Sequence, residues 1–176
     1  MPDQRDHQTF DEIVDAYYHR MFRGALSVTG DKHLAEEIVQ ETFLSAFRKF
    51  DTFSGRSSVF IWLYTIMLNK HRDHCRKIKL LKRLGFVRAD DGVTGSATSG
   101  SSSPYAELAK SEKRELLREA VYKLPVKLRE VVAMHYFDDL SLNEVAKMLD
   151  CNLETVKSRL FRSRKRLRQT LRGKLP

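Results

Sequence analysis

Apolar residues recur along this chain at three- and four-residue intervals, and no useful length alternates with period two. The pattern predicts helices and no sheet. Thr9 and Glu12 have capping-box spacing ahead of a stripe of Phe10, Ile13, Val14, Tyr17, Met21 and Ala25, and Gly30 is placed to end that helix. Asp31 predicts the cap of a second helix, whose stripe is Leu34, Ile38, Thr42 and Ala46 with Val39, Phe43 and Phe50 beside it. Residues 51–57 (DTFSGRS) have turn chemistry and read as an ordered loop. Ser57 or Ser58 is placed to cap a third helix bearing Val59, Trp62, Leu63, Ile66 and Met67.

Residues 87–103 are rich in Gly and Ser and poor in apolar groups, too poor to offset the entropy of ordering, so a boundary is expected there. Ser103 and Pro104 then have the cap-plus-proline signature of a helix carrying Leu108, Leu116, Leu117, Ala120, Val121 and Leu124. Pro125 restarts the chain as a helix with Leu128, Val131, Val132 and Tyr136. Ser141 and Glu144 form a second capping box before Val145, Ala146 and Leu149; Asp150, Cys151 and Asn152 break the pattern. A last helix follows to about Arg172, its inward stripe Val156, Leu160, Leu167 and Leu171. A short capped helix, a tight break and a basic second helix describe a helix-turn-helix, with Ala146 small where the two cross. An αα-hairpin with a solvated basic face fits the same residues. The fold class expected is all-α, with two small helical domains joined by a flexible linker: 8–86, 87–104 and 105–174.

The length of 176 residues and a hydrophobic fraction of 41% suit this division. No apolar run approaches the roughly eighteen residues of a membrane span, and MPDQRDHQTF has no signal core, so a soluble cytoplasmic protein is expected. Cys75 and Cys151 are too far apart in sequence for a CxxC pair, which leaves no support for a disulfide scaffold or zinc finger. The formal charge of +9 is unevenly spread: residues 70–83 hold seven basic side chains and one acidic, 151–176 hold nine and one, and 1–69 hold seven and ten. Two basic blocks about seventy residues apart suggest two contacts on one polyanion, nucleic acid being the obvious candidate. Two solvated helix faces are the alternative.

Phe53, Phe60, Trp62 and Tyr64 lie beside the first basic block, a mixture able to stack unpaired bases and hold their phosphates, although aromatics at helical spacing also suit a core. His71, His74 and Cys75 are close enough to suggest a metal, but they sit on a basic helix without a fourth ligand, and side chains facing solvent or DNA are expected instead. No nucleophile–base constellation, phosphate loop or paired carboxylate site is present in the sequence, so neither catalysis nor a cofactor is expected.

Three blocks in order, AEEIVQETFLSAF at 35–47, FIWLYTIMLNKHRD at 60–73 and the stretch 124–171, resemble bacterial RNA polymerase sigma factors of the extracytoplasmic-function group. The resemblance implies a sigma domain 2, a linker and a sigma domain 4. It also implies core RNA polymerase and promoter DNA as partners and an anti-sigma factor as regulator. By that resemblance Glu37, Gln40, Glu41 and Leu44 dock on core polymerase. Phe53, Ser54, Gly55 and Arg56 match the loop that captures a flipped minus-ten base, Ile66 and Asn69 lie beside its pocket, and Lys70, Arg72 and Arg76 hold the melted strand. Thr155, Lys157, Ser158, Arg159, Phe161, Arg162 and Lys165 match the minus-thirty-five surface. Two departures affect the promoter sequence expected: Glu154 stands where many relatives have glycine, and Lys49 precedes the loop. A conventional helix-turn-helix regulator acting without polymerase is the alternative function.

Overall fold

The computed structural model describes residues 9–86 and 114–173. The expected linker 87–104 and the Ser103-Pro104 helix start lie outside the described residues. Among those described, regular structure is helical and there is no strand.

Helix α1 (Phe10–Thr29) starts at the Thr9–Glu12 capping box and ends at Gly30, whose φ of 74° supplies the left-handed stop. One residue later the Asp31 carboxylate accepts the Leu34 N–H at 2.8 Å and starts α2 (Lys32–Phe47). A 3₁₀ turn over Phe50–Thr52 opens the loop that the sequence pattern reads as ordered and non-helical. Ser58, rather than Ser57, then caps α3 (Val59–Arg83). The three helices close around Ile13, Met21, Ala25, Val28, Ala35, Val39, Leu63, Met67 and Leu68, all at most 1% exposed. Thr42 belongs to the same stripe and is wholly buried, its hydroxyl satisfied by the Ile38 carbonyl at 2.6 Å.

The second unit begins with a helical stretch at 114–122 (α4). Pro125 opens α5 (Val126–Val132), which loosens into a π-helical turn over Ala133–Phe137, the Asp138 N–H bonding back to the Ala133 carbonyl at 3.1 Å. The Ser141–Glu144 capping box starts α6 (Leu142–Met148), and Asn152 caps α7 (Leu153–Leu171). Between them Asp150 takes a φ of 47°, the left-handed position that the tight break requires and that Asp tolerates better than most residues. Val131, Val145, Val156 and Leu160 form the centre of this unit, and Ser163 ties α7 to α5 by donating to the Leu128 carbonyl at 3.2 Å.

The units are not separate bodies: one buried apolar cluster runs through both. That continuity corrects the expected placement of His71 and Cys75. Tyr64, Leu68, His71 and Cys75 continue the inward face of α3 at three- and four-residue steps. His71 is buried at 2% exposure and Cys75 half-buried, so neither is a solvated or DNA-facing side chain.

Candidate nucleic-acid interfaces

Helix α7 presents its faces as the sequence pattern predicts. Val156 and Leu160 are buried while Lys157, Phe161, Arg162 and Lys165 are exposed, Phe161 by 68%. Thr155, Ser158 and Arg159 are half-buried along the edge. Arg162 donates to the Ser158 hydroxyl at 2.8 Å, and Lys157 holds the Glu154 carboxylate at 2.7 Å. An exposed phenyl ring between cations cannot be explained by packing. It suits the floor of a major groove, where cations donate to guanine edges and an apolar ring meets a thymine methyl.

The loop before α3 forms a different surface. Gly55 has a φ of +67° and open space around its missing side chain, so the backbone angle and not crowding calls for glycine. Phe53 stacks on Trp62, ring centroids 4.6 Å apart and planes 29° from parallel. Trp62 therefore lies between the two readings the sequence left open: half-buried, it supports the loop's aromatic ring from the helix. Ser54, Gly55, Arg56 and Asn69 are exposed and Ile66 is half-buried, which makes a polar rim with an apolar neighbour.

Three of the cations along α3 are already engaged. Lys70 pairs with Glu41 at 3.3 Å, and Arg76 pairs with Asp73 one turn away. Arg72 bonds Glu130 of the second unit through Nε at 2.8 Å and Nη2 at 2.9 Å. Glu130 has no exposed surface and was not foreseen; its one legible sign is an acid directly ahead of the apolar run 131–134. Burial first and then the positive charges of Arg129, His74 and Arg72 lower the His71 pKa to about 4. Burial also pushes the Cys75 thiol up. A neutral imidazole 3.4 Å from a thiol is a packed pair, and no group of three His, Cys, Asp or Glu able to hold a metal occurs among the described residues.

Glu37, Gln40, Glu41 and Leu44 share the exposed face of α2, Glu41 at the edge where it meets Lys70. The structure adds an apolar hollow of about 400 Å³ here, where Phe10, Val14 and Tyr18 meet Leu44 and Phe47. Leu44 and Phe47 are 58% and 64% exposed, more apolar surface than an uncovered helix face needs.

The chain matches the Sigma-70 region 2 model over residues 13–80 and the Sigma-70 region 4 model over 114–167. It is 32% identical to the ECF RNA polymerase sigma factor SigW of Bacillus subtilis, the alignment covering 95% of this chain and 91% of that one. SigM of the same organism is 33% identical over 91% and 93% of the two chains. Among solved structures, the sigma factor RpoE of Bartonella quintana, in complex with the anti-sigma factor NepR, superimposes with a TM-score of 0.72 at 24% identity over 93% and 97% of the chains. CnrH, solved with the cytosolic domain of CnrY, gives 0.61 at 26% identity over 92% and 86%. This chain belongs to the extracytoplasmic-function RNA polymerase sigma factors of the sigma-70 family, which are DNA-binding initiation factors rather than enzymes. No helix among the described residues is long and apolar enough to cross a membrane.

Proposed function

We propose that this chain is an alternative sigma factor that binds core RNA polymerase in the cytoplasm and directs it to promoters with two short elements. Residues 8–86 act as sigma domain 2 and 105–174 as sigma domain 4, with 87–104 as the linker. Core polymerase docks on the α2 face of Glu37, Gln40, Glu41 and Leu44, which the Phe47 hollow extends. Phe53, Ser54, Gly55, Arg56, Ile66 and Asn69 capture and read an extruded minus-ten base, while Lys70, Arg72 and Arg76 hold the strand. Thr155, Lys157, Ser158, Arg159, Phe161, Arg162 and Lys165 read the minus-thirty-five duplex.

The observation that carries this reading is the Phe53–Trp62 stack beside a basic helix, on a chain that also has a helix-turn-helix. A duplex-only regulator, the alternative, has no use for a base-stacking loop, and the family match over both units does not favour it. Each element alone is short, and tethering two weak readers multiplies their affinities through effective concentration. An anti-sigma partner is part of the proposal; the solved neighbour RpoE of Bartonella quintana is in complex with the anti-sigma factor NepR. Purified protein mixed with core polymerase and a promoter library should initiate at a defined set of sites. Failure to bind core would sink the reading.

A further inference from the structure

An open cavity of about 960 Å³, within the size range of small-molecule sites, lies where the first unit meets the second. Leu34 and Ile78 of the first unit and Tyr122 and Val126 of the second give it apolar walls. One wall is closely fitted: Tyr122 lies over Gly30, where a Cβ would come within 2.0 Å of the ring, and its hydroxyl donates to the Leu26 carbonyl at 3.3 Å. Two buried side-chain polar atoms among the described residues have no hydrogen-bond partner, Nδ1 of His71 and Nε of Arg129, and both residues line this cavity.

Arg129 is short of more than a hydrogen bond. Its Nη atoms donate to the backbone carbonyls of Val28 at 3.0 Å and Leu124 at 3.4 Å, yet it forms no ion pair among the described residues. The adjacent carboxylate of Glu130 is held by Arg72, and the two acids of the cavity lining, Glu115 and Glu119, are held by Arg118 and Lys123. Burial lowers the Arg129 pKa, as it does for any cation withdrawn from water. Water in the cavity can meet a lone N–H but brings no charge. Lys79 and Arg83, exposed residues of the same lining, also form no ion pair among the described residues, so the cavity favours an anion. We propose that it is a binding site for a small amphiphilic monoanion, a carboxylate on an aliphatic chain, with the carboxylate against Arg129 and His71 and the chain along Leu34, Ile78 and Val126. Arg129 supplies the charge and its remaining N–H donors. His71 is neutral at pH 7 and adds a hydrogen bond, its Nε2 lying 3.4 Å from the Cys75 sulfur. A monoanion matches the one buried cation, whereas a phosphate dianion brings a second charge into apolar surroundings. None of these residues belongs to the surfaces assigned to DNA or to polymerase, so the site is additional to the proposed function.

Decanoate is the probe, kept below its micelle concentration, and calorimetry on the full chain reads its affinity. Decanol keeps the chain without the charge, and acetate keeps the charge without the chain. Decanoate should bind at a single site, decanol several-fold more weakly and acetate not detectably. Arg129→Gln should weaken decanoate by roughly tenfold or more, the loss of one charge-assisted hydrogen bond, and leave decanol as it was. Lys79→Glu, a change at an exposed position, should weaken decanoate several-fold and again spare decanol; it decides the matter if circular dichroism shows Arg129→Gln unfolded. Alkylation by N-ethylmaleimide locates the ligand, because the half-buried Cys75 lines the cavity and Cys151 does not. Decanoate should slow modification of Cys75 alone. A wild-type chain that does not bind decanoate, unchanged decanoate affinity in a folded variant, or equal protection of both cysteines overturns the site. Decanol binding as tightly as decanoate overturns it as well, since the cavity would then hold any apolar chain.

Discussion

On α7, Arg159, Lys165 and Arg166 form no ion pair among the described residues and Arg162 rests on a hydroxyl, whereas on α3 Lys70, Arg72 and Arg76 each hold a carboxylate. The same residue types thus make two unlike surfaces. Apart from Lys157, which holds the exposed Glu154 carboxylate, the α7 face can meet duplex DNA without rearrangement, its stripe of Val156 and Leu160 being fixed beneath it. The α3 face must first release protein carboxylates, one of them across the boundary between units. Net charge counts both alike; the acid each cation faces separates them.

Arg72→Ala should give the largest effect. It leaves Glu130 buried without its partner, a loss on the order of 3–5 kcal/mol for the closed form. Part of this is relieved if the units separate and Glu130 is hydrated, so the urea midpoint should fall while scattering shows expansion. An unchanged midpoint and size would erase the contrast. Arg162→Ala should do the reverse, changing stability by less than about 0.5 kcal/mol but weakening the upstream element by about 1–3 kcal/mol if it makes a two-pronged base contact. The holoenzyme's footprint on a promoter recovered from the library reads that loss.

The boundary between units also carries two opposed proton linkages. His71, with its pKa lowered to about 4 in the fold, contributes stability that is present above about 6.5 and lost as pH falls toward 4. At about 1.4 kcal/mol per pH unit this is at most about 3 kcal/mol. Asp138 is raised to about 6, by burial first, so the native state gains a proton that the unfolded chain does not take until near 3.8 and is stabilised as pH falls through the same range. Tyr64, Arg20, Arg23 and Asp139 face Asp138, while Arg129, His74 and Arg72 face His71. The two nearly offset, and wild-type stability should change little between pH 6 and 4. Asp138→Asn keeps an acceptor for Tyr64 but removes the opposing gain, so its urea midpoint should drop over that interval; a flat profile would show that His71 is not the group being titrated.

Most of the helical frame was legible because its signals are local. The Thr9–Glu12 and Ser141–Glu144 boxes, Gly30, Asp31 and Asn152 each act within four residues of themselves. The α7 face was legible for the same reason, since one buried stripe sets which cations face outward. What could not be read was the packing of one unit on the other. Tyr64, Arg72 and Asp138 meet partners 58 and 74 positions away, and nothing in a period of 3.6 says which distant helix covers a stripe. His71 was misjudged on that account: its neighbours in sequence are basic, and its neighbours in space are the core. The Phe47 hollow was missed for another reason, because an apolar residue at the end of an apolar helix reads as core until the structure leaves it uncovered.

Glu154 provides the finest test of the comparison, because it does on α7 what Glu130 does on α3. Both acids hold a cation that the proposed function assigns to DNA, but the Glu154 side chain is 78% exposed and lies one turn from Lys157 on the same helix. An exposed pair of this kind is worth at most about 1 kcal/mol, and a carboxylate in the first turn of a helix contributes a further few tenths to about 1 kcal/mol through the helix dipole. Glu154→Gln should therefore lower stability by about 2 kcal/mol or less. If Glu154 merely competes with phosphate for Lys157, duplex affinity should rise modestly and its salt slope steepen by about 0.9, one phosphate contact on a double helix. A fall in affinity confined to sequences with cytosine at one upstream position would mean instead that the carboxylate accepts from a base amino group. In that case Glu154 reads the minus-thirty-five element, and the difference between the two acids is that between a block and a specificity contact.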